Sequence, residues 1–241
     1  MTAQEPDAAA RTTHDAVAAL LWGGPTQQGR RGPKPKLTVE QIADAAIAIA
    51  DENGLSAVTM QSVADRLGAT KMALYRYVPG RAELDAVMLD RALGGPGEPR
   101  EGDWRSALAQ WATELYERAS ARPWSVELAQ RSHVPGPSEL AWIETGLRTM
   151  RDLTLEGGEK LDVLVLLVGH ALSIVRQETG GMAAEAELAK ALAPVLKAHE
   201  QTYPLAAAAF ARSDGGTRDS ALRFGIERVI AGVEALVAER R

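Results

Sequence analysis

Gly68 stands between two short stretches of helical spacing, and this arrangement constrains the fold more than any other part of the chain. Before it, apolar residues recur every three or four positions from Met60 to Leu67, and Thr59 precedes them as an N-cap. After it, Thr70 is the N-cap of a second helix. Because glycine adopts a positive φ without a Cβ penalty, the pattern predicts a helix-turn-helix over residues 59–77.

The second of these helices has an outward face suited to a DNA groove. It offers hydrogen-bond donors for phosphates or guanine and methyl-bearing groups for thymine. Its members are Thr70, Lys71, Met72, Tyr75 and Arg76. Two amphipathic helices joined by glycine also occur in proteins that never bind nucleic acid, so this motif favours DNA binding without deciding it.

The flanking segments add three further signals. Thr38 and Gln41 have the spacing of a capping box, and Asn53-Gly54 ends the helix that follows them. Behind the motif, Pro79-Gly80 forms a turn and Arg81 opens another helix. This order, with ADRLGATKMALYRYVPGRAEL at its centre, resembles the N-terminal DNA-binding domain of the TetR (tetracycline-repressor) family over about 55 residues.

The resemblance implies roles for individual residues of this chain. Thr38, Tyr77 and Arg81 are expected to meet phosphates, while Thr70, Lys71, Met72 and Tyr75 meet bases or the adjacent backbone. The complete set of expected DNA contacts also includes Thr59 and Arg76 of the motif and two residues before it, Arg31 and Lys34.

Composition predicts an all-α protein. Of 241 residues, 46% are apolar, which is enough for a core, whereas only 5% are aromatic and helical periodicity recurs almost throughout. The absence of cysteine and of a signal-peptide pattern predicts a cytoplasmic protein. The apolar run 161–168 is too short to span a bilayer, so no membrane partner is expected. The net charge of −5 does not exclude DNA, because basic residues cluster around the motif.

Composition shifts predict three regions. Residues 1–36 are expected to be a disordered extension with one or two helical turns around Asp15–Trp22 and a basic arm, RRGPKPK. The arm is either an extended minor-groove contact or a solvated linker. Residues 37–93, here called the head, form the DNA-binding domain, and residues 94–241, here called the body, follow the Gly-Pro-rich break at 94–102.

The body is expected to bind a small molecule, as the family resemblance implies. Trp104, Trp111 and Trp142 provide rings that either line a pocket or pack in the core. The segment VGHALSIVRQE resembles the tetracycline repressors, with His170 and Glu178 on similar sides of one helix. A lone histidine there is more often a packed residue than a ligand contact. The expected ligand-binding set is Trp104, Trp111, Trp142, His170, Arg176 and Glu178.

Tetracycline itself is not expected as the ligand. The resemblance requires a further histidine after the helix that ends near Arg122, and His133 stands too late to supply it. No metal and no cofactor are expected.

The last two long helices carry the signals for assembly. The helix around residues 161–178 is apolar on nearly all sides and is therefore expected to be buried on nearly all sides. The last helix, from about Thr217 to Arg240, has a broad apolar stripe and two interior glycines, for which a close helix crossing is a plausible reason. The family resemblance implies that both helices pair with their symmetry mates in a homodimer. The expected interface residues are Leu222, Gly225, Ile226, Val229, Gly232 and Val233.

The leading hypothesis from the sequence is a homodimeric repressor that binds a palindromic operator and is released by a small-molecule inducer. The alternatives are a regulator that activates transcription and a helical protein that only sequesters a small molecule. An enzyme is not expected, because the chain has no Gly-x-Ser-x-Gly, His-Glu-x-x-His or Walker-type motif.

Overall fold

The computed structural model describes residues 8–23, 37–98, 102–179, 191–211 and 218–240. Within these ranges every regular element is helical, and the predicted all-α class is confirmed. The chain divides into two compact units. The first unit comprises Met1–Pro99 and Arg118–Arg148, and the second comprises Arg100–Glu117 and Thr149–Arg241.

The first unit holds the helices of the head and the segment 118–148. Its helices are α1 (Ala8–Trp22), α2 (Val39–Asn53), a 3-10 turn at Leu55–Ala57, α3 (Met60–Arg66), α4 (Lys71–Tyr75), α5 (Arg81–Leu93), the end of α6 (Trp104–Ala121), α7 (Trp124–Ala129) and most of α8 (Pro137–Thr149). The inward faces of α2 to α5 meet in one core, because their apolar residues recur at helical spacing. Its fully enclosed side chains include Ile42, Val63, Leu74, Leu84 and Met88.

The N-terminal extension differs from the expected disorder. It contains the 15-residue helix α1, which packs against α5. The physical reason is an apolar face: Val17 is only 5% exposed, and Leu20 packs against the core of the head. In addition, the indole Nε1 of Trp22 donates to the carbonyl oxygen of Pro135 at 3.0 Å. Residues 24–36, which include the predicted DNA contacts Arg31 and Lys34, lie outside the described residues.

The two units do not coincide with the predicted division at Gly94, since residues 118–148 group with the head. Leu128 is 2% exposed within the core of the head, and Trp124 Nε1 donates to Asp51 at 2.7 Å. The N-terminus of α8 is joined to α5, where Ser138 N donates to Asp90 Oδ1 at 2.7 Å. These contacts make α7 and α8 part of the first unit.

The second unit is built around the pairing of α9 (Gly157–Thr179) with α12 (Arg218–Glu239). It also contains most of α6, helical residues 191–198 (α10) and α11 (Pro204–Ala211). Every third or fourth residue of α12 is buried, namely Leu222, Ile226, Ile230, Val233 and Val237. No helix among the described residues combines the length and apolar character needed to cross a membrane.

Within its own chain, helix α9 is buried on one face and exposed on the other, so burial on nearly all sides would require a second subunit. Leu167 and Ala171 are enclosed, whereas Leu161, Val165 and Leu166 are 45%, 68% and 59% exposed. The parts of the chain that the structure describes cover one face of this apolar helix.

Candidate nucleic-acid interface and ligand-binding residues

The backbone of the helix-turn-helix is fixed by three local devices. Thr59 and Ser62 exchange main-chain to side-chain hydrogen bonds of 2.9 Å, which close the first turn of α3. Gly68 has φ +60°, as the turn requires. Thr70 Oγ1 then accepts from Ala73 N at 3.2 Å and caps α4. Thr59 and Thr70, both predicted as DNA contacts, therefore first serve as helix caps.

Helix α4 divides its side chains between the core and solvent. Leu74 is fully buried, which fixes the rotation of the helix. Met72 is 74% exposed and Tyr75 is 37% exposed, and Lys71 and Arg76 are exposed on the same short helix and its C-cap. The predicted reading face therefore exists as a solvent-facing surface, and its anchoring by Leu74 lets it dock as a preformed element.

Two further predicted phosphate contacts sit at the edges of this scaffold. Thr38 caps α2: its hydroxyl accepts from Gln41 N at 3.2 Å and its main-chain N–H donates to Gln41 Oε1 at 3.0 Å. Tyr77 is half-buried and packs against the core of the head. Both keep part of their surface in solvent.

The guanidinium of Arg81 points at groups of its own chain and not outward, as a phosphate contact would. Its guanidinium donates to the carbonyl oxygen of Val58, to that of Leu55 at 3.4 Å, and to the Oδ1 of Asp85 at 2.5 Å. Val58 and Leu55 lie in the turn that leads into α3. In the described structure Arg81 therefore fastens α5 to the start of the helix-turn-helix.

A surface ion pair joins α2 to α3. The guanidinium of Arg66 makes two hydrogen bonds to the carboxylate of Glu52, at 2.5 and 2.7 Å. The hydrogen bond from Arg66 lowers the pKa of the Glu52 carboxyl group. Both side chains are exposed, so the pair adds orientation rather than much stability.

The second unit contains a polar contact between α6 and α9. The hydroxyl of Tyr116 contacts both carboxylate oxygens of Glu178 at 2.9 Å. Trp111, five residues earlier on α6, is 4% exposed. Trp104 lies at the start of α6, and the guanidinium of Arg105 is 4.8 Å from its ring centroid. Arg176 is exposed on α9. Sequence reasoning missed Tyr116, because its partner Glu178 is 62 residues away.

His170 is a packing residue at the crossing of α9 and α12. Its Nε2 lies 3.1 Å from the carbonyl oxygen of Leu222, and a Cβ on Gly225 would collide with its ring. The close crossing that explains Gly225 is therefore supplied within the chain. This geometry agrees with the interpretation of His170 as a packed residue.

Trp142 belongs to the first unit rather than to the second. It is 3% exposed, and its Nε1 donates to the carbonyl oxygen of Gly94 at 2.9 Å. The guanidinium of Arg118 reaches the preceding carbonyl, that of Leu93, at 3.3 Å. Trp142 thus holds the C-terminal end of α5, where main-chain carbonyls have no helical partner.

The expected dimer residues on α12 fall into two groups. Leu222, Ile226 and Val233 are buried within the chain itself, at 6%, 3% and 5% exposure, so little of their surface is left for a second subunit. Gly225 faces His170 of the same chain. Val229 is half-buried, and Gly232 is exposed, with no atom within 4 Å of the position that a Cβ would take.

Comparisons with known proteins agree with this architecture. Residues 37–85 match the family model of bacterial regulatory proteins of the tetR family, and residues 96–237 match the tetracyclin repressor-like C-terminal domain. The chain belongs to the TetR family. The resemblance inferred from the residues around Gly68 is confirmed.

Related TetR-family proteins match over most of their length. The chain is 34% identical to the transcriptional repressor DrrR1 of Streptomyces coeruleorubidus, over 92% of this chain and 86% of that protein. It is 30% identical to a transcriptional regulator of Saccharopolyspora erythraea, over 93% of this chain and 95% of that one. The structure of apo ActR from Streptomyces coelicolor superposes with a TM-score of 0.76 at 23% identity, covering 86% of this chain and 99% of ActR.

The second unit of this TetR-family protein has an exposed apolar face, whose residues were not among the expected interface residues. Phe224 of α12 is 65% exposed, and three large apolar residues of α9 are exposed as well. The sequence signal was the composition of α9: a helix that is apolar on nearly all sides leaves an apolar face exposed wherever its own chain does not cover it. These residues are Leu161, Val165, Leu166 and Phe224.

Proposed function

We propose that this TetR-family protein is a homodimeric transcriptional repressor, acting in the cytoplasm, that binds a palindromic operator and is released by a small-molecule inducer. The observation that carries the proposal is the exposed face of α4 on a capped, core-anchored helix-turn-helix. In such motifs the second helix lies in the major groove with side chains directed at base edges.

The contacts of α4 follow from side-chain chemistry. Lys71 and Arg76 offer positive charge to phosphates or to guanine, and the phenol of Tyr75 offers a donor. Met72 offers an apolar group to the methyl of thymine. Thr38 and Tyr77, each with part of its surface in solvent, are proposed to meet the phosphate backbone and set the register.

For the subunit contact we propose the exposed apolar face of α9 and α12 in place of the buried stripe. Leu161, Val165 and Leu166 of α9 and Phe224 of α12 leave a large apolar area in solvent, and such faces are commonly covered by a partner. Gly232 lies on the exposed side of α12 and allows close approach of another helix. A two-fold axis would bring the same face of two copies together.

For the inducer we propose a site in the second unit that uses Trp111 with the Tyr116–Glu178 pair, together with Trp104 and Arg176. A half-buried carboxylate and phenol can hydrogen-bond a polar group, while an indole covers an apolar ring. Solved structures of ActR include complexes with (S)-DNPA and with actinorhodin, which supports a small organic molecule as the class of inducer.

The test of DNA recognition is fluorescence anisotropy of DNA taken from beside the gene. Lys71→Ala and Tyr75→Ala should each lower operator affinity by about 1 to 3 kcal/mol if the residue reads a base. The matched control is Lys197→Ala, which removes an exposed positive charge from the second unit. Wild-type affinity in both α4 variants would remove α4 from the interface.

A salt titration separates the two kinds of contact. If Lys71 neutralises a phosphate, Lys71→Ala should reduce the slope of log affinity against log salt by about 1 and weaken all sequences alike. If it reads a base, the loss should instead be concentrated on one operator position.

Inducer and operator should oppose each other. To move the repressor from about 1:99 to 99:1 in favour of the released state, an inducer must bind that state better by about 5.5 kcal/mol. Reciprocity requires that operator DNA weaken inducer binding by the same factor. A compound that binds tightly to the second unit and leaves operator affinity unchanged is not an inducer.

A further inference from the structure

A cavity of about 170 Å³ lies in the first unit beneath the N-terminal helix α1. Its walls come from α1, from α5, from α7 and from the loop that follows α7. None of the residues proposed above to bind DNA or inducer lines it. The N-terminal helix is therefore both a cover for α5 and a wall of a partly enclosed space.

The floor of the cavity is apolar. Val17, Ala86, Leu89 and Leu128 are all at most 7% exposed, and they come from three different helices. Protein cores are normally packed without voids larger than a water molecule. An apolar cavity of about 150 Å³ binds a compound of the size of benzene, so this one has room for a single ring.

One edge of the cavity is polar. Asp85, whose side chain is 13% exposed, accepts from Arg81 through Oδ1 at 2.5 Å and from Arg131 through Oδ2 at 3.2 Å. A carboxylate has about four acceptor positions, so Asp85 retains capacity for another donor. Ser132 and His14 line the exposed side.

We propose that this cavity is a second small-molecule site, for a neutral compound of one aromatic ring that carries a hydroxyl or amino donor. The ring would lie on the floor of Val17, Leu89 and Leu128, and the donor would bond the carboxylate of Asp85. A neutral donor suits this edge, because the charge of the Asp85 carboxylate is already paired with the guanidinium groups of Arg81 and Arg131.

The position of Asp85 gives such a ligand a route to the DNA-binding motif, an effect that rests on the proposed function. Asp85 holds Arg81, and Arg81 donates to the carbonyl of Val58 just before α3. A donor that bonds the Oδ1 of Asp85 shares that oxygen with Arg81 and weakens this chain of contacts. Occupancy should therefore lower operator affinity.

The site is tested by methyl NMR of the full chain titrated with phenol. We expect shifts at the methyl groups of Val17, Leu89, Leu128 and Val134, all of which line the cavity. Toluene, which has the ring and lacks the donor, should bind about tenfold more weakly. Shifts confined to second-unit methyl groups such as Val163, no shifts at all, or equal binding of toluene would each overturn the proposal.

A substitution that fills the cavity tests the site directly. Ala82 is exposed at the rim, so Ala82→Leu can project into the space without disturbing the core, and it should weaken phenol binding at least about tenfold. Ala121→Leu places the same group at an exposed helical position outside the lining and should leave phenol binding unchanged. Equal phenol binding in wild type and Ala82→Leu contradicts the site.

Operator binding in the presence of phenol keeps the two proposals distinguishable. If the cavity methyl groups shift and operator affinity falls in wild type but not in Ala82→Leu, both the site and its route through Arg81 are supported. If the methyl groups shift and operator affinity is unchanged, the route is overturned and the site stands. If no operator is bound without phenol, the proposed function fails, and the NMR result still decides the site.

Discussion

The imidazole of His170 occupies the space that a side chain at position 225 would need, and its Nε2 lies 3.1 Å from the carbonyl oxygen of Leu222. This relationship joins α9 to α12 by close packing and one hydrogen bond. It accounts for a glycine inside a long helix, where glycine costs about 1 kcal/mol relative to alanine. The glycine is kept because the histidine of the neighbouring helix requires it.

Gly225→Ala should therefore destabilise the protein in spite of its better helix propensity. The three atoms nearest to the added Cβ all belong to the His170 ring, and overpacking of this kind costs about 1 to 3 kcal/mol. Urea unfolding followed by circular dichroism measures the change.

The double variant His170→Ala/Gly225→Ala is the control for this prediction. Removing the ring removes the collision, so the two substitutions should show a coupling free energy of about 0.5 to 3 kcal/mol in a double-mutant cycle. Additive effects would mean that the two residues do not constrain each other.

The exposed apolar face predicts which substitutions separate the subunits. Val165→Glu and Phe224→Glu place a charge where the chain leaves 68% and 65% of the side chain in solvent, so each should give folded monomers that bind the operator poorly. Sedimentation velocity measures the oligomeric state of each variant, and circular dichroism measures its helical content.

Ile226→Glu is the contrasting variant. Its side chain is 3% exposed inside the chain, so an unpaired carboxylate there should unfold the second unit instead of yielding a helical monomer. A monomeric wild type, or a dimeric Val165→Glu, would contradict the proposed subunit contact.

The local features of the head were predictable because they depend on neighbours in the sequence. The Thr38–Gln41 capping box, the Thr59 and Thr70 caps and the positive φ of Gly68 each involve residues within one turn of each other. The position of α4 and its exposed face follow from these signals and the spacing of Leu74.

The features that were missed depend on partners far along the chain. Helical spacing correctly identified which apolar residues of α12 are buried. It did not show that they pack against α9 of the same chain rather than against a second subunit. Trp142 is a residue type that often lines pockets, and its hydrogen-bond partner Gly94 lies 48 positions earlier in the chain. Helix α1 is a short alanine-rich segment that is stabilised by packing against α5. Composition alone does not reveal this packing.

Arg81 should be essential for the head even in the absence of DNA. Arg81→Ala leaves the carbonyls of Val58 and Leu55 without this donor and Asp85 without one partner, which should cost about 1 to 3 kcal/mol. Arg81→Lys should not restore the loss, because one ammonium group cannot reach three acceptors in a fork geometry. Thermal unfolding measures this effect.

Arg76→Ala is the matched control, since Arg76 is exposed at the end of α4. It should change the free energy of unfolding by less than about 0.5 kcal/mol and still weaken operator binding. Normal stability of Arg81→Ala, with lost operator affinity, would favour the phosphate role for Arg81 over the fastening role.

The pH dependence of stability should include a contribution from His133. Its Nε2 faces the carboxylate of Glu139 at 2.9 Å, and its Nδ1 lies 2.8 Å from the carbonyl oxygen of Arg131. Only the protonated ring donates from both nitrogens. The hydrogen bond to Glu139 accordingly raises the pKa of His133 above its usual 6.5.

Because the folded-state pKa is the higher one, this contribution is fully present below the unfolded pKa of about 6.5 and is lost as pH rises through the folded value. His133→Gln cannot carry the charge, so its unfolding free energy should fall further below wild type at about pH 6 than at about pH 8.5. Urea unfolding of both proteins at the two pH values measures this difference. A deficit of equal size at both values would mean that protonation of His133 does not stabilise the fold.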